Sequence, residues 1–242
     1  MMKKAGPYIL SVCLFVYLII VLTFASGKLE GIKCKDLQVV VDNTGGNVFI
    51  DEEEVLKVIK HGYGDIRDVH IVEVDKDSME RVLIKNPAIK SAQVYYSLDG
   101  NFHVEITQRT PVLRVMSGEG YYVDEDGEMM PLSGKYSARV VVATGNVSKK
   151  FACDGLYPFV MKLKNDDFWD ALIEQIVVKE QEEISLIPKV GNFRIVVGSL
   201  EDIDQKMENL RLFLQKGIAL RGWNVYKEIN LKFKDQIVCV KR

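Results

Sequence analysis

The 242-residue sequence predicts an α+β protein with three parts: a single N-terminal transmembrane helix, a β-α-α-β-β domain, and a mostly antiparallel, curved β-sheet domain with helices on one side. Three observations lead to this prediction. A long uncharged run covers residues 5–26 and has no counterpart elsewhere. Two helix-like patterns and a hairpin signal follow within residues 35–109. Beyond residue 110, strand-like runs outnumber helix-like ones, which is typical of a sheet with few helices.

The uncharged run from Ala5 to Ser26 predicts a transmembrane helix. A helix of that length reaches roughly 33 Å, against about 30 Å of bilayer hydrocarbon. Because Lys3 and Lys4 precede the run, the positive-inside rule predicts a cytoplasmic N-terminus, with residues 1–28 as stub and anchor. The alternative is a cleaved signal peptide ending near Ala25, although this run is longer than the apolar core of an ordinary signal peptide.

Composition argues against nucleic acid as a partner. The chain has 32 Lys and Arg against 34 Asp and Glu, a net charge of −2, and the two signs are interspersed. Outside the uncharged run the cysteines are Cys34, Cys153 and Cys239, an odd number without a CxxC motif. We therefore expect free thiols. The alternative is that two of these three cysteines form one disulfide.

Residues 29–109 are predicted to form the β-α-α-β-β domain. Its first strand covers residues 37–41, and a turn cluster covers residues 42–47. Asp51 and Glu54 have the spacing of a capping box, in which each side chain binds the other residue's backbone N–H at a helix start. The apolar face of this first helix is predicted to be Val55, Leu56, Val58 and Ile59.

A second helix and a hairpin complete this domain. The helix is predicted to begin at Asp75 or Asp77 and to end before Pro87, because the residue that precedes a proline avoids the helical conformation. Asp99-Gly100 lies between two strand-like runs, which is the strongest short hairpin signal. The inward residues of the helix and of the last strand are predicted to be Met79, Val82, Leu83, Phe102, Val104 and Ile106.

Residues 110–242 are predicted to form the β-sheet domain. Asn165 or Asp166 caps a helix predicted over residues 168–176. Ser199 and Asp202 have capping-box spacing before a further helix, which is predicted to end at Gly217. A short helix is predicted over residues 156–164, and strands are predicted over residues 111–115, 121–123, 139–143, 184–186, 193–197, 225–233 and 236–240.

The sequence contains no pattern of a catalytic or metal site. Its three histidines, His61, His70 and His103, are scattered, and no HExxH, GxSxG or phosphate-binding glycine loop occurs. The acidic segment 124–128 has its glycine too early for a calcium loop, so a solvated turn is predicted there. We therefore expect no enzyme activity, no cofactor and no small-molecule substrate, and look for a protein-binding surface.

Several phrases of the sequence resemble a known family. A β-α-α-β-β unit directly after an apolar run looks like a POTRA domain. Residues 86–94, Asp99-Gly100 and residues 104–114 are similar to the bacterial cell-division family FtsQ/DivIB, and residues 121–132 are similar to the start of that family's β domain. The resemblance covers the chain from the uncharged run to the C-terminus. Features further along the chain also match the layout of that family: Val190-Gly191, Lys206 with Leu210, and Tyr226.

The C-terminal segment is the candidate binding site. Its two strand-like runs predict a terminal hairpin, and a hairpin at a sheet edge offers unpaired N–H and C=O groups to an incoming strand. The alternative is that Ile229, Leu231 and Val238 are simply core residues. In the FtsQ/DivIB family the final strands bind the small coiled-coil protein FtsB. The resemblance therefore implies a partner-binding site at Tyr226, Lys232, Phe233, Gln236 and Val238.

The resemblance also implies a function. The implied function is that of a non-enzymatic scaffold of the bacterial divisome. Such a scaffold would link early and late division proteins, recruit the FtsB–FtsL pair and so regulate septal wall synthesis. The POTRA domain would bind other divisome members, and the protein would lie at the division septum, anchored in the inner membrane with both domains in the periplasm. The alternative is a POTRA-type adaptor for envelope protein transport or outer-membrane assembly; such adaptors usually carry several POTRA units.

Overall fold

The computed structural model describes residues 6–43, 46, 48–218, 222–234 and 236–242. Lys3, Lys4, Asp235 and part of the turn predicted over residues 42–47 lie outside the described residues. The chain divides into two compact units, unit 1 (Met1–Gln108) and unit 2 (Arg109–Arg242). The helices are α1 (Gly6–Glu30), α2 (Glu52–Gly62), α3 (Lys76–Ile84), α4 (Lys149–Phe151), α5 (Tyr157–Lys164), α6 (Asp167–Leu172) and α7 (Ile203–Phe213).

The strands of unit 1 are β1 (Asp36–Asp42), β2 (Ile89–Tyr96) and β3 (Asn101–Gln108). Those of unit 2 are β4 (Pro111–Met116), β5 (Tyr121–Asp124), β6 (Met129–Pro131), β7 (Val141–Gly145), β8 (Ile173–Val178), β9 (Ile184–Pro188), β10 (Arg194–Gly198), β11 (Tyr226–Asn230) and β12 (Val238–Lys241).

The prediction of a transmembrane helix from Ala5 to Ser26 is wrong. Among the described residues, the chain contains no helix with the length and apolar character needed to cross a membrane. The orientation predicted from Lys3 and Lys4 is not tested, because both residues lie outside the described residues.

Unit 1 is a three-stranded sheet in the order β1-β3-β2, covered by α2 and α3. β1 pairs with β3 in parallel, and β2 pairs with β3 in antiparallel fashion. The Asp99-Gly100 turn predicted between β2 and β3 is confirmed: Gly100 has a φ of +95°, and the Ser97 N–H donates to Asn101 O at 2.9 Å. The β-α-α-β-β order predicted from the sequence is therefore correct.

The predicted capping box at the start of α2 is also confirmed. Asp51 Oδ1 accepts from the Glu54 N–H at 2.9 Å, and the Asp51 N–H donates to Glu54 Oε2 at 3.4 Å. Val55 and Ile59 face the core as predicted, but Leu56 is 40% exposed. Leu56 was wrongly placed on the buried face because the sheet covers a narrower stripe of α2 than the apolar pattern indicates.

Replacing Asp51 by Ala is expected to destabilise unit 1 by about 1 kcal/mol, because the Glu54 N–H then has no capping acceptor. Urea unfolding followed by tyrosine fluorescence measures the change. Glu53→Ala in the same turn is the matched control, since Glu53 makes only an exposed ion pair with Lys57 at 3.7 Å. An equal loss in both variants would show that first-turn charge, and not the cap, stabilises α2.

The amide of Gln108 closes one corner of unit 1. Its Oε1 accepts from the N–H groups of Phe49 and Ile50 at 2.8 and 3.0 Å, and its Nε2 donates to Asn43 Oδ1 at 2.7 Å. Gln108 is the last residue of β3 and is buried. It therefore ties the end of β1 and the approach to α2 to the same point of the sheet.

Unit 2 is built on a nine-stranded sheet in the order β12-β11-β10-β9-β8-β7-β4-β5-β6. Its core lies between this sheet and the helices α4 to α7. The prediction of a mostly antiparallel sheet is correct, because three of the eight pairings between the described strands are parallel and the other five are antiparallel. The parallel pairings are β4 with β7, β7 with β8, and β10 with β11.

Two helix predictions in unit 2 are wrong. The helix predicted over residues 168–176 ends at Leu172, and the β-branched run that follows becomes β8, because it pairs with both β7 and β9. The predicted capping box at Ser199 does not form: the N-cap residue of α7 is Asp202, in a left-handed conformation (φ +52°) without a side-chain cap. Gly217 does not end α7 but lies inside a π-helical turn, Leu214–Ile218.

The prediction that residues 124–128 form a solvated turn is wrong for Asp124, because this residue is fully buried. Its Oδ1 accepts from the N–H groups of Asp126 and Glu128 at 3.0 and 2.8 Å, and its Oδ2 pairs with Arg109 at 2.6 Å. The carboxylate shapes the β5–β6 turn and fixes Arg109, the first residue of unit 2.

Candidate functional site

The candidate site begins with β12, which forms one edge of the unit 2 sheet. β12 pairs with β11 in antiparallel register, Val238 opposite Asn230 and Val240 opposite Glu228. Among the described residues no other strand lies beyond it. Alternate N–H and C=O groups of an edge strand point away from the sheet, so this side of β12 can pair with an added strand.

The opposite edge of the same sheet is poorly suited to strand addition. That edge is β6 (Met129–Pro131), which is three residues long. Pro131 has no N–H to donate to a further strand, and prolines on edge strands protect against edge pairing. Of the two edges, β12 is therefore the receptive one.

The two faces of β12 differ in burial. Val238 and Val240 lie on one face and are 40% and 48% exposed, whereas Cys239 points toward the core between them. Burial raises the pKa of the Cys239 thiol. An added strand would thus find a backbone edge flanked by exposed valine side chains.

Next to β12 lies a groove of about 470 Å³. One wall is the segment between β11 and β12, including the side chain of Phe233, which is 49% exposed. The other wall is the start of α7 and the loop before it. The lining residues are Ser199, Glu201, Asp202, Gln205, Lys206, Asn209, Leu231, Lys232, Phe233, Lys234, Gln236 and Ile237.

Backbone and side-chain bonds hold the chain that follows β11. The Leu231 N–H donates to Val196 O at 2.8 Å and continues the sheet, and the Lys232 N–H donates to Asn230 Oδ1 at 3.0 Å. The Lys232 stem lies against Gly198, where a Cβ would meet Lys232 Cγ at 2.9 Å. This close approach, together with the φ of +74° at Gly198, requires glycine there. These contacts hold the two residues that precede Phe233.

Two of the three lysines that line the groove, Lys206 and Lys232, make polar contacts within unit 2. Lys232 Nζ pairs with Glu183, and this hydrogen bond lowers the pKa of the Glu183 carboxyl. Lys206 Nζ donates to Ser199 O at 2.8 Å, and burial lowers the pKa of its ammonium group. Because the rim also carries Glu201 and Asp202, the groove has both signs of charge around an aromatic side chain.

The predicted site residues do not all lie together. Lys232, Phe233 and Gln236 line the groove, and Val238 lies on the adjacent edge strand. Tyr226 is 6% exposed and packs against Phe213 with ring centroids 5.8 Å apart, so it is a core residue. Ile229 and Leu231 are core residues, as the alternative interpretation held, but Val238 is not.

The second wall of the groove was not predicted as part of the site. It includes the N-cap residue Asp202 and the α7 residues Gln205, Lys206 and Asn209, which recur at helical spacing beside the apolar stripe of Met207 and Leu210. The sequence therefore contained a signal for this wall, a polar helical stripe. Nothing in the sequence indicated that this stripe faces the β11–β12 segment.

Within the part of the chain that the structure describes, no group of three or more His, Cys, Asp or Glu side chains is placed to hold a metal ion. Cys13, Cys34, Cys153 and Cys239 are all free. Cys34 is buried, and Cys153 and Cys239 are half-buried.

Comparison with known proteins agrees with the two-unit division. Residues 32–107 match the model of the POTRA-like domain. Residues 110–240, more than half of the chain, match the model described as FtsQ/DivIB, C-terminal related. The chain belongs to the FtsQ/DivIB family. This result confirms the resemblance found in the sequence.

A curated relative of the family is also similar to the chain. The Cell division protein FtsQ of Myxococcus fulvus (strain ATCC BAA-855 / HW-1) is 34% identical over 55 residues, which cover 23% of this chain and 19% of that protein. The match thus spans about a fifth of the relative's length. Family and relative together support a role in cell division.

Proposed function

We propose that this FtsQ/DivIB family member is a non-enzymatic scaffold of the bacterial divisome that acts at the division site. It recruits FtsB- and FtsL-type coiled-coil proteins and so regulates septal wall synthesis. The recruiting surface is the edge of β12 together with the adjacent groove. The single observation that carries the proposal is the receptive edge strand beside an exposed aromatic residue, Phe233, in the unit that matches the family model.

Three features support strand addition at β12. The edge offers unpaired backbone groups, which give affinity without demanding a particular side chain. Val238 and Val240 supply apolar contact on one face, at 40% and 48% exposure. Phe233 stands at one end of the edge, where an exposed aromatic side chain is well suited to anchor a partner.

The proposal is tested with the purified full chain and an FtsB-type protein from the same bacterium. We expect Phe233→Ala to weaken binding about tenfold or more, because truncation of a hot-spot aromatic residue costs about 2 kcal/mol or more. Tyr95→Ala is the matched control, since Tyr95 is 43% exposed but lies in unit 1. Isothermal titration measures both affinities, and circular dichroism verifies that both variants fold.

Division function is tested separately in cells. Depletion of the protein is expected to give filaments without septa, and Phe233→Ala is expected to fail to restore division where Tyr95→Ala succeeds. Normal division together with loss of outer-membrane proteins would contradict the scaffold and favour the transport adaptor. Wild-type affinity of Phe233→Ala for the FtsB-type protein would exclude the groove as the site.

A further inference from the structure

The two faces of the unit 2 sheet differ in how they are covered. Helices α4 to α7 and the core lie on one face, which includes Ala143, Ile176, Leu186 and Ile195. Because side chains alternate along a strand, the neighbours of these residues point to the opposite face, which we call the outer face. Its apolar residues on the central strands are half-buried and lie outside the core: Val142, Val177, Ile187 and Val196.

Strand register joins these residues into one patch. In a row across the sheet, Val177 of β8 pairs with Thr144 of β7 on one side and with Ser185 of β9 on the other. Ser185 in turn pairs with Val196 of β10. Thr144 and Ser185 have short side chains, so larger side chains of a bound segment can approach the sheet at these two positions.

A second row runs alongside the first. Val142 pairs with Gln175 of β8, and Gln175 pairs with Ile187 of β9. The Gln175 amide donates to Thr144 Oγ1 at 2.7 Å and so links the two rows. This hydrogen bond reduces the cost of covering the two polar side chains. We call the two rows together the outer patch (residues 142, 144, 175, 177, 185, 187 and 196).

The chain covers the outer face beside β5 and β4. The Ala138 N–H donates to Tyr122 OH at 3.2 Å, and Tyr122 is buried. Arg114 of β4 pairs in register with Val142, and its Nη1 donates to Ser137 Oγ at 2.8 Å. The Arg114 Nε is buried and has no acceptor among the described residues. The outer patch therefore begins next to a guanidinium whose hydrogen bonding is incomplete.

Parallel strands form the β4 side of the patch. β4 pairs with β7 in parallel, and β7 pairs with β8 in parallel. Parallel strands occur almost only where both faces of the sheet are covered, usually by helices. Since α4 to α7 cover one face, a further helix is expected on the other. A helix is about 10 Å wide and strands lie about 4.8 Å apart, so one helix along the strands covers β7 and β8.

We propose that the outer patch binds an amphipathic helix of a partner protein, which lies along β7 and β8. The five residues of β7 span about 17 Å, the length of about three helical turns. The helix packs apolar side chains on Val142 and Val177, and an acidic side chain on its β4 side pairs with Arg114. This site is distinct from the β12 edge and does not depend on the function proposed above.

The probe is a fluorescent, stapled helical peptide of about three turns, with Leu and Ala on one face and one Glu at the border of that face. Anisotropy with the full chain measures its affinity, and NMR of valine and isoleucine methyl groups locates it. We expect the signals of Val142, Val177 and Ile187 to shift, and those of Val190 and Val238 to stay unchanged. A peptide of the same composition without an apolar face should not bind.

One matched pair of variants tests the apolar contact. We expect Val177→Asp to weaken the probe about tenfold or more, because the carboxylate would lose its hydration under the helix. Val190→Asp, in the loop between β9 and β10, should change the affinity less than about twofold. Circular dichroism verifies that both variants fold, and the methyl shifts of the unmodified chain decide the site if Val177→Asp does not.

A second matched pair tests the charge. We expect Arg114→Glu to weaken the Glu probe about fivefold and to strengthen binding of a probe with Lys in place of Glu. Arg194→Glu is the control, because Arg194 of β10 lies four strands from β4, about 19 Å away and beyond the screening length. It should change either affinity less than about twofold.

Four results would overturn the proposal. These are no binding of the Glu probe, methyl shifts at Val238 and Val240 instead of the outer patch, and equal effects of Arg114→Glu and Arg194→Glu. The fourth is a shift of the outer-patch signals with protein concentration in the absence of probe, which would make a second copy of the chain the occupant.

Discussion

Replacing Asp124 by Ala is expected to lower the free energy of unfolding of unit 2 by about 3–5 kcal/mol. The carboxylate is fully buried, and its loss leaves the Arg109 guanidinium and two backbone N–H groups of the β5–β6 turn without their acceptor. Because buried donors without partners carry the full cost of desolvation, the penalty exceeds that of a surface ion pair. Urea or thermal unfolding of the full chain measures it.

The controls separate charge from hydrogen bonding at this turn. Glu128→Ala changes an exposed acid in the same turn and should cost less than about 0.5 kcal/mol. Asp124→Asn keeps one acceptor oxygen. Its loss of unfolding free energy should therefore lie between those of Asp124→Ala and Glu128→Ala. A small effect of Asp124→Ala would show that water reaches Arg109 and the turn, and that this ion pair does not stabilise unit 2.

Replacing Val238 by Asp is expected to weaken binding of an FtsB-type partner at least about 30-fold, which corresponds to a hot-spot residue. Val238 lies on the exposed face of β12 and would be covered by an added strand. A carboxylate there would lose its hydration without gaining a partner. Titration of the full chain with the purified partner measures the change.

Val190→Asp is the matched control, because Val190 is 49% exposed and lies in the same unit, in the loop between β9 and β10. We expect it to bind the partner as wild type does. Equal weakening by both substitutions would indicate a general effect of added negative charge, and unchanged binding of Val238→Asp would place the partner elsewhere.

Local signals in the sequence identified most of unit 1 correctly. The capping box at Asp51 and Glu54 and the Asp99-Gly100 turn depend on residues close in the chain, so their patterns are readable without tertiary information. The exposure of Leu56 was missed because it depends on how wide a stripe the sheet covers. That width is a property of packing and leaves no mark in the local pattern.

In unit 2, contacts with residues distant in the chain decided the structure of segments for which the local sequence pattern predicted something else. Residues 173–176 continue a helix-like run, yet they form part of β8, since two neighbouring strands supply backbone partners on both sides. Asp124 looked like an ordinary turn acid because its partner, Arg109, lies outside the local window. The N-terminal run was predicted to span a membrane from its length and its lack of charge, but among the described residues no helix is long and apolar enough to do so.

The candidate site was predictable in part. Lys232, Phe233, Gln236 and Val238 were identified through the resemblance, and the sheet order explains why they are accessible. Tyr226 could not be recognised as a core residue, because an aromatic at a strand start fits either role. The α7 wall was missed because facing elements are distant in sequence.

The most direct test of the central claim is amide hydrogen exchange of the full chain with and without a purified FtsB-type protein. Strand addition predicts slower exchange over Val238–Lys241, with matching protection in one extended segment of the partner, and no change over β6. Binding that leaves Val238–Lys241 unchanged, or that protects only the helices of unit 2, would contradict the account.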